Sequence, residues 1–183
     1  MRRVIALAAC LVLSLSSPLY AQAIELGGNA ALARVEAARR ISVSGGMFAG
    51  AGVEFSALGS DDRYAFVADY SHWARLLPSR SAAIGGLDFA SFGGRALTPN
   101  LPGGIRGFID IGWGGGRYRS LHPRGKTTIF GYTLGAGVIV PIGDRWYVRP
   151  QVRGYLLATP EPSGGDYTLD ALSLRVGVGI RFR

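Results

Sequence analysis

The sequence has little charge and almost no cysteine. Only 17% of the 183 residues are charged and 48% are hydrophobic, which excludes an intrinsically disordered chain. Cys10 is the only cysteine and lies in the N-terminal segment, so the rest of the chain has no disulfide, thiolate metal site or cysteine nucleophile. No run of about 20 apolar residues follows the N-terminus, which excludes a protein that crosses a membrane with helices. The length suits one domain or one small barrel.

The N-terminus has the organisation of a secretory signal peptide. Two arginines precede an apolar stretch over 4–15, and small residues at Ala21 and Ala23 form a cleavage motif. Cleavage after either alanine fits this motif. We therefore expect residues 1–23 to be a cleaved signal peptide and residues 24–183 to form an outer-membrane β-barrel domain.

The rest of the chain alternates with a period of two, which is typical of β-strands. Over 172–183, every even position is apolar and every odd position is Ser, Gly or Arg. A strand places these two sets on opposite faces. Weaker alternation over 24–32 predicts a first strand, although residues 24–40 also fit a short helix. With that segment, the pattern predicts eight strands, the others lying over 47–56, 63–71, 82–96, 105–113, 130–140 and 145–156.

The polar face of these strands distinguishes a membrane barrel from a soluble sandwich. It carries Gly, Arg, Tyr and isolated carboxylates, whereas a solvent face favours Lys, Glu, Thr and Gln. Glycine fits the inside of a narrow closed barrel, where large residues cannot all be accommodated. We therefore predict an all-β fold, a closed antiparallel eight-stranded up-and-down transmembrane β-barrel with its apolar face in lipid. Aromatic residues are expected at both interfaces, with Tyr64, Phe66, Trp146 and Phe182 periplasmic and Tyr70, Trp113, Phe130 and Tyr132 outer.

Charged residues on the polar face predict a filled lumen. Eight strands leave room only for side chains, and buried charges are tolerable only when they are paired. We expect arginine–carboxylate pairs to plug the barrel and to prevent conductance. The predicted members are Glu25, Glu54, Asp69, Asp88 and Asp110 with Arg63, Arg106, Arg149, Arg153, Arg175 and Arg181.

A basic segment predicts contact with lipid headgroups. Four basic residues surround one predicted outer loop with no acid among them, and arginine binds phosphate through paired hydrogen bonds. Phosphorylated glycolipid is the expected ligand, and an ordinary solvated loop is the alternative. Removal of Arg2 and Arg3 with the signal peptide lowers the formal net charge from +8 to +6, because 18 basic residues then face 12 acidic ones. This charge points to anionic lipid rather than nucleic acid, because exported proteins rarely meet nucleic acid. The four residues are Arg117, Arg119, Arg124 and Lys126.

The sequence offers little for catalysis. His72 and His122 are the only histidines, so no metal site or cofactor is expected. His72 shares the predicted face of Tyr70, which places it at the outer lipid interface, and we expect a protein that is not an enzyme. Two alternatives remain. One is a lipid-modifying hydrolase or acyltransferase that uses His72 with a partner from another strand. The other is a soluble exported β-barrel that binds a small apolar ligand.

Two segments carry a family resemblance. The strand WYVRPQVR at 146–153 and the ending VGVGIRF at 176–182, with the export signal and the Gly-rich strands, resemble the small eight-stranded outer-membrane barrels of the OmpA-like and Ail-like kind. The resemblance covers most of the mature chain and contains no catalytic motif. It implies the outer membrane of a Gram-negative-type bacterium, lipid as partner, and recognition of the C-terminal strand by the barrel-assembly machinery. The family's terminal aromatic is displaced here, because Arg183 follows Phe182. A monomer without a second, peptidoglycan-binding domain is expected.

Overall fold

Eight antiparallel strands close into one up-and-down barrel, as predicted. The computed structural model describes residues 23–38, 46–76, 84–121, 124–159 and 167–182. Each strand pairs with its neighbours in sequence, and the first closes on the last. No helix among the described residues is long and apolar enough to cross a membrane. The strands are β1 (Ala23–Ala38), β2 (Gly46–Leu58), β3 (Tyr64–Arg75), β4 (Ile84–Leu97), β5 (Arg106–Leu121), β6 (Arg124–Ile142), β7 (Trp146–Thr159) and β8 (Tyr167–Phe182).

Alternation of side chains explains why these segments are strands. In β8, Leu174 is 62% exposed whereas Arg175 is 1% exposed, and the same alternation runs along the strand. The weakly patterned N-terminal segment follows the same rule. Leu26 and Leu32 of β1 are exposed while Asn29 is buried, so this segment is a strand and the helix alternative is wrong for its described part.

The register sets the shape of the barrel. Directly opposed residues lead from Tyr64 on β3 around all eight strands and return to β3 at Ala74, which is ten residues further along. A stagger of this size with eight strands corresponds to a strand tilt of about 40°. The interior of such a barrel is only wide enough for side chains.

The two ends of the barrel differ. Short turns connect β2 to β3, β4 to β5 and β6 to β7 at the end where β1 begins and β8 finishes. Outer-membrane barrels have their short turns in the periplasm, so we call this the periplasmic end and the opposite one the outer end. The β4–β5 turn contains one 3₁₀ turn, Pro102–Gly104, in which Gly103 and Gly104 have φ angles of 78° and 74°. Glycine adopts this left-handed conformation without steric cost.

The interior of the barrel has three layers. Charged side chains occupy the middle, with an apolar cluster on each side. In the outer cluster the ring of Tyr155 meets Trp73 edge to face at 4.8 Å between centroids, and Phe89 at 5.7 Å. Charged side chains therefore occupy only the middle layer of the described interior. The outer cluster is Ala33, Val35, Phe48, Trp73, Leu87, Phe89, Ile129, Tyr155, Leu157, Leu169 and Ala171, and the periplasmic cluster is Ala23, Leu58, Ala65, Leu97, Phe108, Ile139 and Tyr147.

The outer surface carries an apolar band of membrane dimensions. On β8 the outward side chains from Leu172 to Phe182 are apolar, and ten residue steps correspond to about 25 Å of height at this tilt. This is the height of the band on outer-membrane barrels. Large aromatic side chains are exposed near both edges, with Tyr64, Trp146 and Phe182 near the periplasmic end and Tyr70, Trp113, Phe130 and Tyr132 toward the outer end. The alternative of a soluble barrel does not fit this surface.

Candidate functional sites: lumenal ion pairs and an outer polar group

Seven charged side chains form one continuous network across the middle of the lumen. Glu54 on β2 contacts Arg95 on β4 at 2.9 Å between Oε1 and Nη1, and it also contacts Arg149 on β7. Asp110 on β5 contacts Arg95 at 3.1 Å and Arg153 on β7 at 2.9 Å, each through its Oδ2 atom. Arg95 therefore bridges two carboxylates on different strands.

Asp69 on β3 extends the network to the last strand. Its two carboxylate oxygens contact Nη1 of Arg153 at 3.2 Å and Nη1 of Arg175 at 2.9 Å. Arg175 also donates hydrogen bonds to the Ser71 hydroxyl at 2.7 Å and to the Tyr155 hydroxyl. The seven members lie on six of the eight strands, and each side chain is at most 3% exposed.

The layers on either side explain how so many charges are tolerated. A buried charge is costly unless it is paired, and every member of the network contacts at least one opposite charge. Aromatic rings of the apolar clusters cover the network. The guanidinium of Arg95 lies 4.3 Å from the ring centroid of Phe108, and that of Arg175 lies 5.5 Å from the ring centroid of Tyr155.

Six predicted lumenal residues come together in this network, and three others lie nearer the periplasmic end. Glu25 on β1 and Arg181 on β8 form a separate pair, with 2.5 Å between Oε1 and Nη2. Arg106 is buried, but its guanidinium donates to the backbone carbonyls of Thr98, at 3.1 Å, and Asp62. The six are Glu54, Asp69, Asp110, Arg149, Arg153 and Arg175.

Two predicted members lie outside the lumen. Asp88 points outward, whereas its apolar neighbours Leu87 and Phe89 point inward into the outer apolar cluster, so the two faces of this strand are the reverse of those predicted from Asp88. Arg63 belongs to the β2–β3 turn, where it is exposed and its backbone N–H donates to Oδ1 of Asp61 at 3.0 Å. Neither residue contacts the network.

Sequence reasoning missed Arg95, which joins two parts of the network. Arg95 lies on the same face of β4 as Leu87 and Phe89. An apolar face is predicted to contact lipid, so Arg95 was not predicted to lie in the lumen. A signal was nevertheless present. Ser91 and Gly93 occupy the same face next to Arg95, and a small polar stretch is typical of the lumenal side.

A second cluster of polar side chains lies on the outer wall, toward the outer end. Nδ1 of His72 on β3 lies 2.6 Å from Oδ1 of Asp88 on β4, and the Tyr70 hydroxyl donates to the same oxygen at 3.1 Å. Arg117 on β5 is directly opposite Asp88 in the register, and Arg119 is two residues further along on the same face. All five side chains are at least partly exposed, and we call them the outer polar group.

The predicted basic loop is mostly paired strand. β5 continues to Leu121 and β6 begins at Arg124, with Arg119 opposite Lys126. Arg117 and Arg119 therefore project from the barrel wall. The side chains of Arg124 and Lys126 lie outside the described part of the structure, as does His122.

His72 has a partner from another strand, but the described residues directly opposite it in the register offer no serine or threonine hydroxyl. The adjacent Ser71 points inward to Asp69 and Arg175, as the alternation predicts. Directly opposite His72 are Ala51 and Asp88, neither of which has a hydroxyl group. Within the described ranges, no group of three or more His, Cys, Asp or Glu side chains is placed to hold a metal ion.

A closed eight-stranded barrel with an apolar outer band and an ionic interior defines a small membrane β-barrel of the outer-membrane type. The fold is similar to that of Neisserial surface protein A, with a TM-score of 0.68 and 12% identity over 87% of this chain and 99% of that one. It is also similar to the N-terminal β-barrel domain of Pseudomonas aeruginosa OprF (TM-score 0.57, 13% identity, 87% and 97% covered). A third similar structure is Ail, the attachment invasion locus protein of Yersinia pestis (TM-score 0.53, 11% identity, 87% and 98% covered).

These similarities are structural. No protein-family model matches the sequence, and no curated protein does either. The predicted resemblance to small eight-stranded outer-membrane barrels is confirmed for the fold.

Proposed function

We propose that this protein is a non-conducting integral outer-membrane β-barrel that contributes to envelope integrity or surface contact and is not an enzyme. The observation that carries the proposal is the filled interior. The ion-pair network crosses the lumen between two apolar clusters, and its side chains are almost completely buried. A rigid, closed cylinder with an apolar band suits a structural role in a membrane.

Two measurements on the purified, refolded protein test this proposal. We expect compact migration in cold detergent with a shift on boiling, because the closed barrel resists the detergent until it is heated. We also expect no conductance in planar bilayers, because the ion-pair network and the two apolar clusters occupy the described part of the lumen. Stable single-channel currents would contradict the closed lumen, and the absence of heat-dependent migration would contradict the membrane barrel.

The proposed location is the outer membrane of a Gram-negative-type bacterium, which the chain would reach by export and assembly. Residues 1–23 would include the signal peptide, and β8, ending at Phe182, would be recognised by the barrel-assembly machinery before insertion as a monomer. Ala23 is buried in the periplasmic cluster and lies opposite Leu58, so we favour cleavage after Ala21, which keeps Ala23 in the mature chain. The intact mass of protein purified from outer membranes checks this. A mass that corresponds to cleavage after Ala23 would contradict it.

We further propose outer-membrane glycolipid as the partner of the basic segment. Arg117 and Arg119 are exposed on the outer wall, where phosphates of a surrounding leaflet would lie within reach. Arg124 and Lys126 follow on the adjacent strand. Replacing all four with serine is expected to reduce the glycolipid that copurifies with the protein. An unchanged amount would indicate an ordinary solvated basic segment.

The alternative of a lipid-modifying enzyme makes a different prediction. A serine hydrolase would need a hydroxyl nucleophile beside His72, and the residues directly opposite this histidine supply none. We therefore expect no labelling of the folded protein by a fluorophosphonate probe. Labelling that disappears in a His72→Gln variant would favour the enzyme.

A further inference from the structure

Part of the outer polar group interrupts the apolar band. On β7 the outward side chains remain apolar from Trp146 to Ala158, a height of about 30 Å. On β3 the apolar stretch runs only from Tyr64 to Tyr70, about 15 Å, before His72. Both strands start at the periplasmic end. The register places His72 and Asp88 at a level that β7 covers with apolar side chains, whereas Arg117 lies near the upper limit of that level and Arg119 lies above it.

Charge at this level requires polar contacts. An ionisable side chain facing hydrocarbon is costly unless it is paired or reached by water and headgroups. Asp88 has the side chains of His72 and Tyr70 as hydrogen-bonding partners. Arg117 and Arg119 form no ion pair within 4 Å with any residue that the structure describes, and Asp88, which interacts electrostatically with Arg119, is already hydrogen-bonded to His72 and Tyr70. Both guanidinium groups can therefore still bind an anionic lipid headgroup.

We propose that the outer polar group is a lateral binding site for the phosphorylated sugar headgroup of an outer-leaflet glycolipid. The inference rests on the proposed membrane location. The proposed site extends the glycolipid contact of the basic segment to Tyr70, His72 and Asp88. It also implies that the protein prefers one class of lipid.

The basic part of the group and the part around Asp88 match two different parts of such a headgroup. Arg117 and Arg119 present guanidinium donors that match phosphate oxygens. Asp88 accepts hydrogen bonds and repels phosphate. A sugar supplies hydroxyl donors for Asp88 and for the Nε2 atom of His72, whose Nδ1 is directed at the carboxylate. A lipid with phosphate and hydroxyl groups on one rigid ring satisfies both halves together.

This arrangement disfavours simpler lipids. The phosphate of phosphatidylglycerol sits on a flexible chain, so it meets the arginines without holding its hydroxyl donors against Asp88. A glycolipid without phosphate leaves the arginines unpaired. We therefore expect discrimination against both. Attraction by the arginines alone would rank the lipids by their negative charge, and such a ranking would not depend on Asp88.

Lipid titrations of the purified full mature chain in non-ionic detergent, followed by native mass spectrometry, test the site. The probes are diphosphoryl lipid A, its dephosphorylated form, phosphatidylglycerol and phosphatidylethanolamine. We expect wild-type protein to bind diphosphoryl lipid A at least about tenfold more tightly than the other three. The double variant R117S/R119S is expected to lose about tenfold or more of that affinity. The variant R145S, which removes an exposed arginine from the β6–β7 turn, should keep it.

The variant D88N separates the glycolipid site from general attraction to anions. Removing the carboxylate should strengthen phosphatidylglycerol binding and narrow the preference for lipid A to a few-fold. All these substitutions are on the outer wall or in a turn, and heat-dependent gel migration checks that each variant folds. Three results would each overturn the site: an unaltered preference in D88N, equal lipid A binding by R117S/R119S and wild type, or tighter binding of phosphatidylethanolamine. None of them would affect the proposed non-conducting membrane barrel, which heat-dependent migration and conductance test separately. A wild-type chain that does not insert into membranes would overturn both.

Discussion

Replacing Glu54 with glutamine removes a charge that two buried arginines share. The variant keeps the size of the side chain, so packing changes little. Arg95 retains Asp110 as a partner, whereas Arg149 loses its one carboxylate contact among the described residues. The network contains four arginines and three carboxylates, so the substitution raises its net charge from +1 to +2 in a layer that is closed to water.

Two independent estimates give the expected loss in the free energy of unfolding. A pair of charges 4 Å apart at an effective dielectric constant of 20 attracts by about 4 kcal/mol. Breaking a buried ion pair from one side costs about 3–5 kcal/mol. We expect the free energy of unfolding of Glu54→Gln to fall by a similar amount. Arg149→Met should cost less, because Glu54 then remains paired with Arg95.

Urea unfolding of the refolded protein in phospholipid vesicles, followed by tryptophan fluorescence, measures these changes. The double variant Glu54→Gln/Arg149→Met returns the network charge to +1 and should be more stable than Glu54→Gln alone. Asp144→Asn removes an exposed carboxylate from the β6–β7 turn and should change stability by less than about 0.5 kcal/mol. A loss below about 1 kcal/mol in Glu54→Gln, or a double variant that is less stable than the single one, would refute the reasoning.

Two further predictions concern packing and the apolar band. A Cβ atom at Gly93 would lie 2.0 Å from a backbone carbonyl oxygen of β5, whereas one at Gly94 would meet nothing within 4 Å. Gly93→Ala should therefore cost about 1–3 kcal/mol in the same unfolding assay and Gly94→Ala almost nothing, and equal effects would contradict the register. Trp146 is 55% exposed on the band and Trp73 is 1% exposed in the interior. In single-tryptophan variants, brominated lipid should quench Trp146 strongly and Trp73 weakly, and the reverse order would contradict the assignment of the two faces.

Much of the fold could be predicted from alternation, because most strands have an outward face that is apolar over a long stretch. β8 is the clearest case, and its outward leucines and valines are placed as the pattern predicts. β4 is different, since its inward face changes from apolar at Leu87 and Phe89 to charged at Arg95 as it passes from the outer cluster to the network. A rule that assigns every apolar residue to lipid assigns the wrong face to such a strand.

The candidate sites could be predicted only in part for a related reason. The alternation of odd and even positions identifies residues that share a face of a strand, and it correctly places His72 on the outside with Tyr70. It does not identify partners, which depend on the stagger between strands. The pairing of His72 with Asp88 follows from their directly opposed positions in the register, and that register cannot be derived from either strand alone.

The ion pairs in the lumen join parts of the chain that are synthesised far apart. Glu54 and Arg149 are separated by 95 positions, and Asp69 and Arg175 by 106. A partly assembled sheet that lacks β7 and β8 would hold three carboxylates with a single arginine as counter-charge, and these groups would have to stay hydrated. Loss of water from the interior is thereby coupled to docking of the last two strands. Insertion should therefore end in one cooperative step, in which the barrel closes and its interior becomes dehydrated at the same time.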